Sequence, residues 1–259
     1  MSRDAKLKHY STGSSTSETF TLGGRPKTTD IEEQETDYIK VCSRKDSEIN
    51  KCINNSIEII RPKLISGIAE LAVPPIEPLA LDEMKLSRGP RGALLEALIR
   101  NIKAQGASDF IIEDLKADLE ANTFDVKLLL PKIVFEGDYQ LRMNILIFNV
   151  FGKGRLTGTF KNYKCDVHMK GTKILKNNET FLEFERMKFK LQVGNADIHL
   201  SNLFNGDPTL GETTNRLINE NSDILLPEII PALEVSLAKE FTDIANRITL
   251  QFTYDELFP

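Results

Sequence analysis

The sequence predicts an α+β fold in which one long C-terminal helix lies against a strand-rich middle. Three observations predict it. Leu226, Ile230, Leu233, Leu237, Phe241, Ile244, Ile248 and Phe252 recur at spacings of three and four, so they form one apolar stripe on a helix. From Ser222 to Phe252 that helix would be roughly 46 Å long at about 1.5 Å per residue, so a partner of equal length must cover the stripe. Between about Leu79 and Leu203 the dominant period becomes two, the mark of antiparallel strands with one buried and one wet face. A long helix held in a curved sheet is a container for an elongated apolar molecule.

Taken in order, residues 1–36 are rich in Ser, Thr, Gly and charge, and are expected to form a disordered extension outside the domain 37–259. Ile49, Ile53, Ile57, Ile60 and Leu64 predict a helix over Asp46–Leu64, capped by Asp46 or Ser47 and kinked or ended early by Pro62. Val73-Pro74-Pro75-Ile76-Glu77-Pro78 reads as an extended connector. Tyr139 to Ile147, Cys165 to Met169 and Met187 to Val193 then alternate as strands. Asn177-Asn178 is a hairpin turn. Leu182 and Phe184 are out of phase with Met187 and Phe189, which predicts a bulge near Glu185–Arg186. Propensity alone makes Ala93–Lys103 and Glu113–Asn122 helices. Asn205-Gly206-Asp207-Pro208 turns the chain into a shorter helix through Leu210, Leu217 and Ile218. Pro227 and Pro231 predict a kink or late start in the final helix.

Composition bounds the function. The 259 residues are 41% hydrophobic with a net charge of −5, enough for a sizeable core and against a nucleic-acid or anionic-membrane surface. No apolar run approaches the roughly 20 residues of a membrane span. Cys42 and Cys52 stand close enough for a short disulfide loop, which implies an oxidising compartment; two reduced thiols in the cytosol fit the spacing nearly as well. No CxxC pair or Cys/His cluster points to a metal. His9 lies in the extension, whereas His168 and His199 occupy the polar phase of strands. Gly152, Gly154 and Gly158 lack dinucleotide-binding spacing and are read as strand bends. Catalytic motifs are missing, and the protein is not expected to be an enzyme or to hold a cofactor.

Several blocks carry a family resemblance. Tyr38-Ile39-Lys40-Val41-Cys42, Ile60-Arg61-Pro62-Lys63-Leu64, Val73-Pro74-Pro75 and Glu136-Gly137-Asp138-Tyr139 occur in order. Asn202-Leu203-Phe204-Asn205-Gly206-Asp207, Leu210-Gly211-Glu212, Asn219-Glu220-Asn221 and Tyr254-Asp255-Glu256-Leu257-Phe258 follow. From about Asp37 onward the chain resembles the insect takeout and juvenile-hormone-binding proteins. The resemblance implies a secreted, monomeric carrier whose long C-terminal helix is wrapped by a strongly curved antiparallel sheet enclosing a hydrophobic tunnel. It implies a Cys42–Cys52 disulfide, and strands rather than helices at Ala93–Lys103 and Glu113–Asn122. The chain departs from the family's pattern in three places. Ser222 stands where relatives commonly have Trp, Pro227 is an extra proline, and Cys165 lacks the fourth cysteine of hormone carriers with two disulfides. The last departure favours the takeout branch. The family's signal peptide is not visible, so secretion is taken from the resemblance.

The tunnel wall is expected to comprise Leu141, Met143, Ile145, Cys165, Val167, Met169, Met187, Phe189, Leu191, Ile230, Leu233, Leu237 and Phe241. Core packing is the default role for each residue alone; a tunnel is a collective property, and the methionines suit an adaptable wall. Asn54 and Asn178 head N-x-S/T sequons, and Asn178, in its turn, is the better glycosylation acceptor. The partner expected is a small hydrophobic ligand such as a terpenoid hormone or a fatty acyl lipid. The alternative is a protein–protein module with a dry core.

Overall fold

In the computed structural model, which describes residues 40–88, 95–145 and 148–259, the chain enters through a disulfide-bonded loop into helix α1 (Ile49–Ser66). Expectations for residues 1–36, for Ala93 and Ile147, and for the side chain of Ile145 lie outside the described residues. Cys42 and Cys52 are bonded, with 5.9 Å between their Cα atoms. Neither Asp46 nor Ser47 caps α1. Glu48 holds the cap position without a side-chain bond, and Asp46 Oδ1 instead accepts the Glu48 N–H at 2.8 Å, shaping the turn before the helix. Pro62 does not end α1 either: one lost donor on an exposed face is tolerated, and the helix runs four residues further. It stops at Gly67, whose φ of 81° and close approach to the Val73 carbonyl, 2.7 Å from where a Cβ would sit, both require glycine.

The connector after α1 is extended, bridging Ile68 to Val73 and Ile76 to Leu79. Among the described residues eight antiparallel strands follow: β1 (Leu79–Arg88), β2 (Leu95–Gln105), β3 (Ile111–Asp118), β4 (Thr123–Ile145), β5 (Phe148–Lys176), β6 (Glu179–Phe184), β7 (Lys188–Gln192) and β8 (Asn195–Leu200). β4 and β5 form the spine, paired from Thr123↔Lys170 to Ile145↔Phe148. The far edge of β4 carries β2 and β3, and the far edge of β5 carries β8, β7 and β6 in turn. Of the segments with helical propensity, Leu95–Lys103 and Glu113–Asp118 are therefore strands, as the resemblance implied, while residues 119–122 form the turn into β4. Their alternating residues meet a preformed β4 edge, and cross-strand packing outweighs local preference.

The predicted hairpin and bulge are both present. Asn177 and Asn178 have φ of 52° and 64° and join β5 to β6 as a two-residue turn. Phe184 pairs with Gly171 and Lys188 with His168, so three residues between β6 and β7 (185–187) oppose two of β5 (169–170). That extra residue lets Leu182, Phe184 and Met187 all be buried despite their phase. The glycines of β5 sit where other atoms approach the strand closely. A Cβ on Gly158 would lie 2.4 Å from the Phe135 ring, and one on Gly154 2.5 Å from the Ser201 carbonyl.

Helix α2 (Pro208–Glu220) is capped by Asp207, which accepts the Leu210 N–H at 2.9 Å. The long helix α3 (Ser222–Thr249) follows after Asn221 alone, and a four-residue helix α4 (Tyr254–Leu257) ends the chain. Pro227 and Pro231 lie inside α3, which shows no late start. α3 packs against β1 on one side and β6 and β7 on the other, so opposite margins of the curved sheet meet the same helix. No helix of the described residues is long and apolar enough to cross a membrane.

Candidate functional site

Between α3 and the concave face of the sheet lies a cavity of about 600 Å³. Its wall draws on α1, the connector, β1 to β5, β7, β8, α2 and α3, from Ile57 and Leu64 at one extreme to Ile218 and Ser222 at another. The period of two on the strands and of 3.6 on α3 turns one apolar set inward from each element. No charged side chain of the described residues lines the cavity. Space of this size is in the range of small-molecule sites, about 300–1,000 Å³, and its wall offers water few polar partners.

Of the thirteen expected wall residues, ten line the cavity: Leu141, Met143, Cys165, Val167, Met169, Met187, Phe189, Leu233, Leu237 and Phe241. Leu191 and Ile230 do not. Leu191 is 3% exposed and fills the protein core opposite Cys165, its N–H held at 2.9 Å by Glu234 Oε1. Ile230 packs against that same core cluster. Sequence reasoning missed the wall from β1, such as Met84 and Leu86, and from β2, such as Ile99, where helical propensity masked the alternation. It also missed Leu130, Ile133 and Phe135 of β4, whose alternation continues that of Tyr139 to Met143 after a break in phase.

Polar groups on the wall are few and uncharged. The Tyr139 hydroxyl donates to the Ser201 carbonyl at 2.6 Å, and burial pushes this phenol up to about 12. Cys165 is a buried free thiol, pushed up to about 12 by burial first, with the Asp166 and Glu234 charges adding to it. Tyr163 is pushed up further, again mainly by burial, with Cys165 and Glu234 contributing. All three remain protonated at neutral pH, so the interior is neutral as well as apolar. Cys165 is an inert thiol by these criteria.

Residues that drew attention outside the cavity do not assemble a second chemistry. His168 lies 2.7 Å from Asp125 on the outer face, paired across β4 and β5, and His199 is exposed. Among the described residues no cluster of His, Cys, Asp or Glu could hold a metal ion. Asn178 is exposed in its turn, whereas Asn54 is half-buried on α1 with its Oδ1 enclosed.

Comparison with known proteins agrees with this architecture. A model of the family described as Haemolymph juvenile hormone binding protein (JHBP) matches residues 22–259. The circadian clock-controlled protein daywake of Drosophila melanogaster is 24% identical over 205 residues, covering 74% of this chain and 77% of that protein. Its Drosophila yakuba counterpart is 23% identical over 204 residues with the same coverage. The crystal structure of Epiphyas postvittana Takeout 1 superposes with a TM-score of 0.73 at 21% identity, over 85% of this chain and 99% of that one, which shows the same fold.

Proposed function

The chain belongs to the haemolymph juvenile hormone binding protein family, and from that premise we propose that it is a secreted carrier enclosing one elongated hydrophobic molecule, a terpenoid or a fatty acyl chain. One observation carries the reading: about 600 Å³ of space lined by apolar residues from nearly every element of the fold, without a charged side chain among the described residues. A solid core would close such space, because unfilled volume forfeits dispersion contacts. An apolar ligand restores those contacts. Members of this family bind rather than catalyse, and burial holds Cys165 and Tyr163 in their neutral forms. The Cys42–Cys52 disulfide and the haemolymph family both support an extracellular carrier.

The test is extraction of the purified protein with organic solvent followed by mass spectrometry, alongside displacement of a fluorescent fatty acid by chains of graded length. A stoichiometric apolar molecule in the extract, with a length optimum in the assay, is the expected result. An empty extract together with no uptake of any chain would overturn the reading in favour of a dry-cored interaction module.

A further inference from the structure

Resting on the secreted reading, we infer that Asn178 carries an N-linked glycan, and that this glycan covers an apolar patch which the fold itself leaves bare. Asn178 opens the sequence Asn178-Glu179-Thr180 and is the second residue of the β5–β6 turn, with φ of 64°. It is exposed, and among the described residues its side chain makes no hydrogen bond, so no contact must break to free the amide. The second sequon is placed differently. Asn54 is half-buried on α1, one turn after Asn50, whose Oδ1 accepts the Ala117 N–H of β3 at 2.8 Å. A branched sugar on Asn54 would stand between α1 and β3, so Asn178 is the acceptor that the fold accommodates.

The step is a sugar transfer to nitrogen. The Asn178 side-chain nitrogen attacks the anomeric carbon of a lipid-pyrophosphate-linked oligosaccharide. A C–N bond forms and the anomeric C–O bond breaks. The lipid pyrophosphate leaves with the electron pair, and one amide proton passes to solvent. Position decides what the sugar then does. Past Gly171, β5 has left β4 and pairs with β6 alone, so residues 172–176 and 179–183 form a two-stranded ribbon. Leu175 on this ribbon is 72% exposed, more than any other large apolar side chain of the described residues. The register sets Leu175 directly opposite Thr180, so both side chains leave one face of the ribbon, close to the turn that holds Asn178. A ribbon with a bare leucine invites pairing with a second chain. A hydrated, bulky sugar at its tip blocks that approach, and the C–H face of the first sugar ring takes Leu175 out of water.

The experiment secretes the full chain from insect cells behind a cleavable leader and maps its peptides after enzymatic release of N-glycans in heavy-oxygen water. The expected result is a heavy-oxygen-labelled aspartate at position 178 in most molecules and an unlabelled Asn54. Thermal aggregation is then followed by light scattering, with and without the glycan, for the wild type and for Leu175→Ser. Removing the glycan should speed wild-type aggregation several-fold and leave Leu175→Ser nearly unchanged. An unmodified Asn178 on secreted protein that still takes up a fluorescent fatty acid overturns the proposal and leaves the carrier reading intact. A modified Asn178 on protein that takes up no chain supports the glycan and overturns the carrier. Equal effects of glycan removal in the wild type and in Leu175→Ser overturn the covering of Leu175. The peptide map needs no variant, so poor folding of Leu175→Ser would not shelter the proposal.

Discussion

Cys165 and Leu237 both line the cavity, and each predicts a different measurement. The Cys165 thiol is raised from an ordinary value of 9.0 to about 12, so the thiolate is disfavoured in the fold. The unfolded chain ionises first as pH rises. Stability from this group is complete below about pH 9 and is lost progressively toward pH 12, by up to roughly 4 kcal/mol. Thermal melts between pH 8 and 11 should therefore fall more steeply for the wild type than for Cys165→Ala; parallel curves would contradict this. Leu237 lines the cavity and is only 7% exposed. In a solid core Leu237→Trp would overpack, at about 1–3 kcal/mol. Here the indole has space, so the loss should be under about 1 kcal/mol, while uptake of the longest chains is lost in the displacement assay. Severe destabilisation with unaltered chain-length preference would mean that the helix seals a solid core.

At the scale of elements, the helices hold the sheet through amides as much as through apolar contact. Asn215 of α2 bonds both the N–H and the carbonyl of Leu200, at 2.9 and 3.0 Å, and Asn219 does the same to Ile198 at 2.8 and 2.9 Å. Asn246 of α3 repeats the pattern on Phe184, at 2.7 and 3.0 Å, and Thr242 Oγ1 accepts the Met187 N–H at 2.9 Å. Each asparagine substitutes for the missing neighbour of an edge strand, which would otherwise expose a template for aggregation. Asn246→Leu or Asn215→Leu should each cost about 1–3 kcal/mol, because two backbone groups lose their partners. Hydrogen exchange should localise the effect to the amides of Phe184 and Leu200, respectively; uniform loss of protection would argue against the local role. These spacings of four, from Asn215 to Asn219 and from Thr242 to Asn246, stand in the sequence, but nothing local distinguishes a strand-capping amide from a solvated one.

Over the whole molecule, the disulfide loop clasps the C-terminus. The Arg44 N–H donates to the Pro259 carbonyl at 3.0 Å, Ser43 Oγ donates to the same oxygen at 2.9 Å, Arg44 Nε reaches the Phe258 carbonyl at 2.8 Å, and Arg44 pairs with Asp255. Opening the bridge with Cys42→Ser and Cys52→Ser together should cost roughly 2–3 kcal/mol in the chain-entropy model. It should also free α4, exposing Tyr254 and Phe258, whose tilted rings lie with centroids 5.4 Å apart, to quencher in a fluorescence experiment. Unchanged melting and quenching would remove the clasp from the account.

The sequence by itself determined the long amphipathic helix, the alternating strands, the Asn177-Asn178 turn and the bulge after Phe184. Each is a local period or a backbone preference readable within a few residues. Local propensity pointed the wrong way for β2 and β3, where the family resemblance gave strands, and only the tertiary structure decided that Pro62 does not end its helix, that α3 shows no late start, and that Leu191 belongs to the core. The physical reason is that period reports which side of an element is dry, whereas what lies on that dry side depends on how tightly distant elements close upon it. A residue facing a cavity and one facing a packed neighbour satisfy the same hydrophobic rule, and only the distance to the opposite wall tells them apart.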